Sequence, residues 1–102
     1  METLPNKLES TLVNLVYPAT PPNDNTVELD LEELGFVAIE RRGDLVYFTV
    51  DQKREPELHR MFGFASDQIG DRMSVAGFMA HSEQDGRVKL MIKRPFLMNQ
   101  MI

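Results

Sequence analysis

The stretch FVAIERRGDLVYFTVD, residues 36–51, decides the fold. Two runs of alternating apolar and polar residues flank Gly43-Asp44, a two-residue turn with glycine first, as a type II′ hairpin turn requires. That register opposes Val37 to Val50, Ile39 to Phe48 and Arg41 to Val46, so one face is apolar except for Arg41. The other face sets Ala38 against Thr49 and Glu40 against Tyr47. Turn chemistry and alternation select the same register, and a slip of one residue would expose the whole apolar set.

Working outward, Leu4, Leu8, Leu12, Leu15 and Val16 recur at helical spacing, with Thr3 as an N-cap and Pro5 near the first turn. Tyr17 precedes Pro18, which disfavours helical backbone at Tyr17 and ends the helix near Val16. PATPPNDNT (18–26) reads as an extended loop. In TVELDLEELG (26–35), Val27, Leu29 and Leu31 alternate with acids as in a strand, while Asp30 with Glu33 fits a capping pair. The reading is a short strand running into one helical turn.

Beyond residue 51, Pro56 opens a helix carrying Leu58, Met61, Phe62, Ala65, Ile69 and Met73 on one stripe, broken or bent around Gly63 and Gly70. A second hairpin follows around Asp85-Gly86, a type I′ signal. Its expected register puts Val75, Met79, His81, Val88, Leu90 and Ile92 on one face, and Arg87, Lys89 and Lys93 on the other with Phe78 near Lys93. The end, PFLMNQMI, is apolar and uncapped and is read as a tail rather than a helix. The expectation is one α+β domain over residues 1–102, ordered α-β-β-β-α-β-β, with two antiparallel hairpins in a sheet. A chain of 102 residues with 42% hydrophobic and 26% charged residues suits one modest core.

Chemistry is sparse. Without cysteine there is no thiolate nucleophile and no Cys-based metal site. The bases near neutrality are His59 and His81, with no nucleophile elbow to serve. His81 is placed on the apolar strand face near Leu90. His59, four residues after Glu55, reads as half of a helical ion pair. Asp67 and Asp71 lie one turn apart without further ligands. Gly63, Gly70 and Gly77 are too scattered for a phosphate loop. No catalytic residue, metal or cofactor is expected, and an enzyme using His59 or His81 as general base is the alternative.

Charge points to proteins as partners. Net charge is −5, and Glu2, Glu9, Asp24, Glu28, Asp30, Glu32 and Glu33 face Lys7 alone in the first 35 residues. Such a patch attracts basic protein surfaces and repels nucleic acid and anionic membrane. Asp24, Glu28, Asp30, Glu32 and Glu33 are therefore candidate contacts, with Tyr47 outward on the first hairpin and Phe96, Leu97 and Met98 in the apolar tail. The tail is equally a piece of the domain's own core. The basic stripe of Arg87, Lys89 and Lys93 reads as edge protection more than as a nucleic-acid site. The start METLPNK lacks a secretory pattern and no run is long enough to span a membrane, so a cytoplasmic protein is expected.

The element order, with Asp85-Gly86-Arg87-Val88 leading through Leu90 to Arg94-Pro95, resembles class I chaperones of type III secretion systems. That family adds a closing helix that the sequence reading does not assign here. The resemblance implies a homodimer that holds an extended client segment against its sheets. The functional expectation is a non-enzymatic protein-binding module: an adaptor, a chaperone, or an inhibitor of the small phage type. A subunit of a larger assembly fits the same features.

Overall fold

Arg41, the one polar residue on the apolar face of the first hairpin, is completely buried, and its surroundings explain how the layers join. The computed structural model describes residues 4–23, 25–62, 78–82 and 85–100, with backbone alone for 78–82 and 99–100. Helix α1 (Asn6–Val16) is followed by strands β1 (Thr26–Leu31), β2 (Gly35–Arg42) and β3 (Leu45–Asp51). A 3-10 turn (Gln52–Arg54) leads into α2 (Glu55–Phe62), and then come β4 (Phe78–Ser82), β5 (Arg87–Lys93) and α3 (Arg94–Gln100). The strands form one antiparallel sheet in the order β1-β2-β3-β5-β4, so β1 and β4 are its edges. The chain is a single α+β domain around one apolar core.

The first hairpin has the expected register: Ile39 opposes Phe48, Arg41 opposes Val46, and Arg42 opposes Leu45 across Gly43-Asp44. Gly43 has φ +61°, the left-handed value that the first turn position of a type II′ hairpin needs. Val37, Ile39, Val46, Phe48 and Val50 are fully buried beneath Leu8, Leu12, Leu15 and Val16 of α1 and Leu58, Met61 and Phe62 of α2. The Phe48 and Phe62 rings meet tilted, with centroids 5.5 Å apart.

Four sequence readings need correction. β1 runs to Leu31 and pairs it with Gly35, so Glu32–Leu34 are a hairpin loop with no room for a helical turn. Pro5, without a side-chain cap, precedes α1, while Thr3 lies outside the described residues. The second hairpin is shifted by one residue: His81 opposes Lys89, Met79 opposes Met91 and Phe78 opposes Ile92. A type I′ turn needs positive φ at both central residues. Here Gly86 (φ +79°) has it and Asp85 does not, so an odd-length loop forms and the register moves by one. His81 and Met79 therefore take the register positions of the Lys89 face, and Phe78 those of the Ile92 face. Finally, a closing helix is present. Pro95 stands in the first helical turn, where its fixed φ suits a helix and its missing N–H is no loss, and Leu97 is fully buried in the core. The expected helical stripe continues past Phe62 into residues 63–77, which lie outside the described residues along with Gly63, Asp67, Gly70, Asp71 and Gly77.

Arg41 ties the hairpin to α1. Its Nε donates to the Gly43 carbonyl (2.7 Å), Nη1 to Leu15 (3.0 Å) and Pro18 (2.5 Å), and Nη2 to Ala19 (3.1 Å). Arg94 completes the set, donating from Nε to the Val16 carbonyl and from Nη2 to Tyr17 (2.9 Å). Helix C-termini end in carbonyls without intrahelical donors and carry partial negative charge, so two guanidinium groups satisfy them chemically and electrostatically. Burial holds the Arg41 pKa below its ordinary value and the Arg94 charge adds to that, while Asp44 opposes it. A guanidinium nevertheless stays charged in proteins. Among the described residues no buried side-chain nitrogen or oxygen lacks a partner.

Phe48→Ala is expected to remove about 3–5 kcal/mol of unfolding free energy, because it empties a central, fully buried position. Urea denaturation measures it, and a loss below about 1 kcal/mol would contradict the packing described.

Candidate functional site

Among the described residues the helices cover the core face of the sheet, and the outer sheet face and the β1 edge are the surfaces that carry the candidate residues. Across the outer face, β1 contributes Thr26, Glu28 and Asp30, and β2 contributes Phe36, Ala38, Glu40 and Arg42. Leu45, Tyr47, Thr49 and Asp51 follow from β3, then Arg87, Lys89, Met91 and Lys93 from β5. Directly opposed residues in antiparallel strands share a face, so the register defines rows. One row reads Glu28, Ala38, Thr49, Lys89, and the next reads Thr26, Glu40, Tyr47, Met91. Acids thus gather at one side of the face and bases at the other.

The aromatic residues sit between them. Phe36 is 49% exposed, with the Arg87 guanidinium carbon 5.8 Å from its ring centre. Tyr47 is half-buried, with Lys89 Nζ at 5.0 Å and the Arg42 guanidinium carbon at 5.9 Å. Cations over aromatic faces hold the long side chains flat against the sheet. Arg42 also pairs with Glu40 at 3.1 Å, on the surface where such a pair contributes little.

The acidic residues separate into two groups. Glu28 and Asp30 are exposed on β1, and Glu32 and Glu33 are exposed in the loop after it. All four lie at the same sheet edge, while Asp24 is outside the described residues. The backbone of that edge is open: no strand pairs with the far side of β1 among the described residues. Arg41 N–H donates to the Asn25 carbonyl at 3.0 Å, which sets the hydrogen-bonding phase of the ladder. Thr26, Glu28 and Asp30 then turn their N–H and C=O groups toward the open edge. Beside the edge, an open depression of about 230 Å³ lies between α1 and β1, lined by Thr11, Asn14, Leu15, Pro22 and Val27.

The tail residues divide differently. Leu97 is core, and Phe96 and Met98 are partly buried against it, so α3 is held by the domain itself. His59 is buried at 4% exposure, with Nε2 3.3 Å from Glu55 Oε2 on the same helix. It opens onto no described cavity. No group of three potential metal ligands occurs among the described residues. No described helix is long and apolar enough to cross a membrane.

Sequence reasoning missed Phe36 and the aromatic–cation contacts, although the alternation that placed Tyr47 outward places Phe36 there too. No protein-family model, curated protein or solved structure matches the chain.

His59→Gln is expected to leave binding of any partner unchanged and to lower the melting temperature by only a few degrees, since a buried imidazole loses packing and its Glu55 contact. Thermal denaturation beside a binding assay checks this, and loss of activity with the fold and binding intact would favour the enzyme alternative.

Proposed function

We propose that this chain is a non-enzymatic protein-binding module that takes a basic, extended segment of a partner protein along its β1 edge. The observation that carries the reading is the coincidence of a regular edge strand, unpaired on its far side among the described residues, with Glu28, Asp30, Glu32 and Glu33 exposed along it. An edge strand exposes a ladder of donors and acceptors that another chain can complete, and proteins usually guard it with charged side chains, lysine above all, with proline or with a bulge. The acids on β1 guard it against most strands but not against a basic one. β1 carries neither lysine nor proline, and its six residues pair in register with β2 without a break. An added strand gains main-chain hydrogen bonds there. Its alternate side chains would face the depression beside Val27 on one side and Glu28 and Asp30 on the other.

Basic and apolar residues in alternation are therefore the partner's chemistry. Among the described residues the order helix, three strands, helix, two strands, helix supports a chaperone-like reading, because the closing helix that the sequence reading did not assign is the element which the class I secretion chaperones add. An adaptor or an inhibitor, working in the cytoplasm, would use the same edge.

The test uses a partner captured from the native host and identified by mass spectrometry, then measured by surface plasmon resonance. Glu28→Gln with Glu32→Gln is expected to slow association and flatten its dependence on salt, as loss of electrostatic steering does. Glu28→Pro removes one outward N–H without touching the β2 ladder, and edge strands tolerate proline. It is expected to abolish binding while thermal stability stays near wild type. Unchanged binding by Glu28→Pro, with an association rate indifferent to salt, would sink the reading.

A further inference from the structure

We propose that the outer sheet face docks a second copy of this chain about a two-fold axis running parallel to the strands, between β2 and β3. Rotation about such an axis turns one sheet over, reverses the left-to-right order of its strands and leaves positions along the strands unchanged. The row Glu28, Ala38, Thr49, Lys89 then lies against its own reverse. Glu28 of each copy meets Lys89 of the other, and the small residues Ala38 and Thr49 face each other at the axis.

The neighbouring rows match under the same operation. Asp30 opposes Phe36 in the β1–β2 ladder and Arg87 opposes Asp51 in the β3–β5 ladder, so Asp30 of one copy lies over Arg87 of the other. Tyr47 comes over Glu40, giving a phenol hydroxyl an acceptor. One operation therefore pairs Glu28 with Lys89 and Asp30 with Arg87 while placing Phe36 over Asp51, and the same patch serves both sides, as an isologous contact must. Any other partner for this face would need its own charges in mirror order.

The exposed Phe36 and the half-buried Tyr47, Leu45 and Met91 supply the apolar content. Four strands at about 4.8 Å spacing, each about six residues long, give a face roughly 15–20 Å on a side. That is small for an obligate interface, so the dimer is a weak, salt-sensitive one. Charge pairing is what selects it. The contact leaves the β1 backbone edge open but engages Glu28 and Asp30, so a second copy and a basic partner segment compete for those two carboxylates. The dimer is tested on purified protein alone, apart from any partner.

The experiment needs only purified protein, studied by sedimentation velocity. Wild type is expected to dimerise at low salt and to dissociate as salt screens the pairs. Glu28→Lys with Asp30→Lys puts bases on both the β1 and the β5 ends of these rows, and Arg87→Glu with Lys89→Glu puts acids on both. Each double variant alone is expected to self-associate at least about tenfold more weakly than wild type. An equimolar mixture of the two is expected to restore the dimer, because the basic row ends of one meet the acidic row ends of the other. The milder pair Glu28→Gln with Asp30→Asn repeats the first arm if a reversal variant fails to fold by circular dichroism. A wild type that stays monomeric at low salt, variants that dimerise like wild type, or a mixture that stays monomeric would overturn the proposal.

Discussion

A guanidinium buried in an apolar layer determines how this domain is joined. Charge taken out of water is tolerated only when its hydrogen-bonding capacity is filled. Arg41 meets that condition with four backbone carbonyls, three of them from the segment that ends α1 and leaves it. The sheet thus grips the helix through its C-terminus as well as through leucine packing. Arg94, at the junction of β5 and α3, takes the two carbonyls between. Its backbone N–H reaches the Asp44 carbonyl in the first hairpin turn at 2.7 Å. Helix α1, the β2–β3 turn and the start of α3 therefore meet at one polar knot on the rim of the core.

That knot bears on the surfaces used for binding. The segment it holds, Leu15 to Ala19, begins the connection to β1, and Arg41 N–H pairs with Asn25 immediately before that strand. One residue therefore anchors both ends of the loop that delivers the acidic edge. Its side chain fixes where the loop starts and its backbone fixes where the strand starts. The outer face gains from the same economy, since all the described helices pack on the core side and the opposite face keeps its charged rows.

Much of this was legible in the sequence because local signals agreed. Gly43-Asp44 and the alternation around it pointed to one register, and Ile39 opposes Phe48 accordingly. α1 does end beside the Tyr17-Pro18 step, but Tyr17 itself keeps helical φ −69° and ψ −35° and donates its N–H to Val13. The stop comes from Pro18, which has no N–H to continue the ladder, and not from a non-helical Tyr17. Legibility failed where the signal was ambiguous between neighbouring solutions. Asp85-Gly86 is compatible with loops of different length, and one residue of difference moves His81 from the Leu90 face to the Lys89 face. Arg41 was readable as an exception on an apolar face, but three of its four partners are backbone atoms 22–26 residues away, which no local pattern encodes. Arg94-Pro95 looked like the exit of a strand because the helix it starts has no side-chain cap signature and owes its place to Leu97 burial. The acidic clustering was plain in the sequence, whereas its meeting with an open edge depends on the strand order.

The most direct measurement on this account is the unfolding free energy of Arg41→Met by urea denaturation, with Arg41→Lys beside it. Methionine keeps the length and apolar fit but leaves the Gly43, Leu15, Pro18 and Ala19 carbonyls without that donor. Lysine keeps the charge but not the fork. If the knot joins the domain, Arg41→Met loses about 2–4 kcal/mol, since hydrogen bonds to a charged group contribute about 1.5–3 kcal/mol each net of water, while removing the guanidinium relieves its desolvation. Arg41→Lys then falls between it and wild type. A methionine variant as stable as wild type, or more so, would show that apolar packing alone holds α1 on the sheet and would contradict the account.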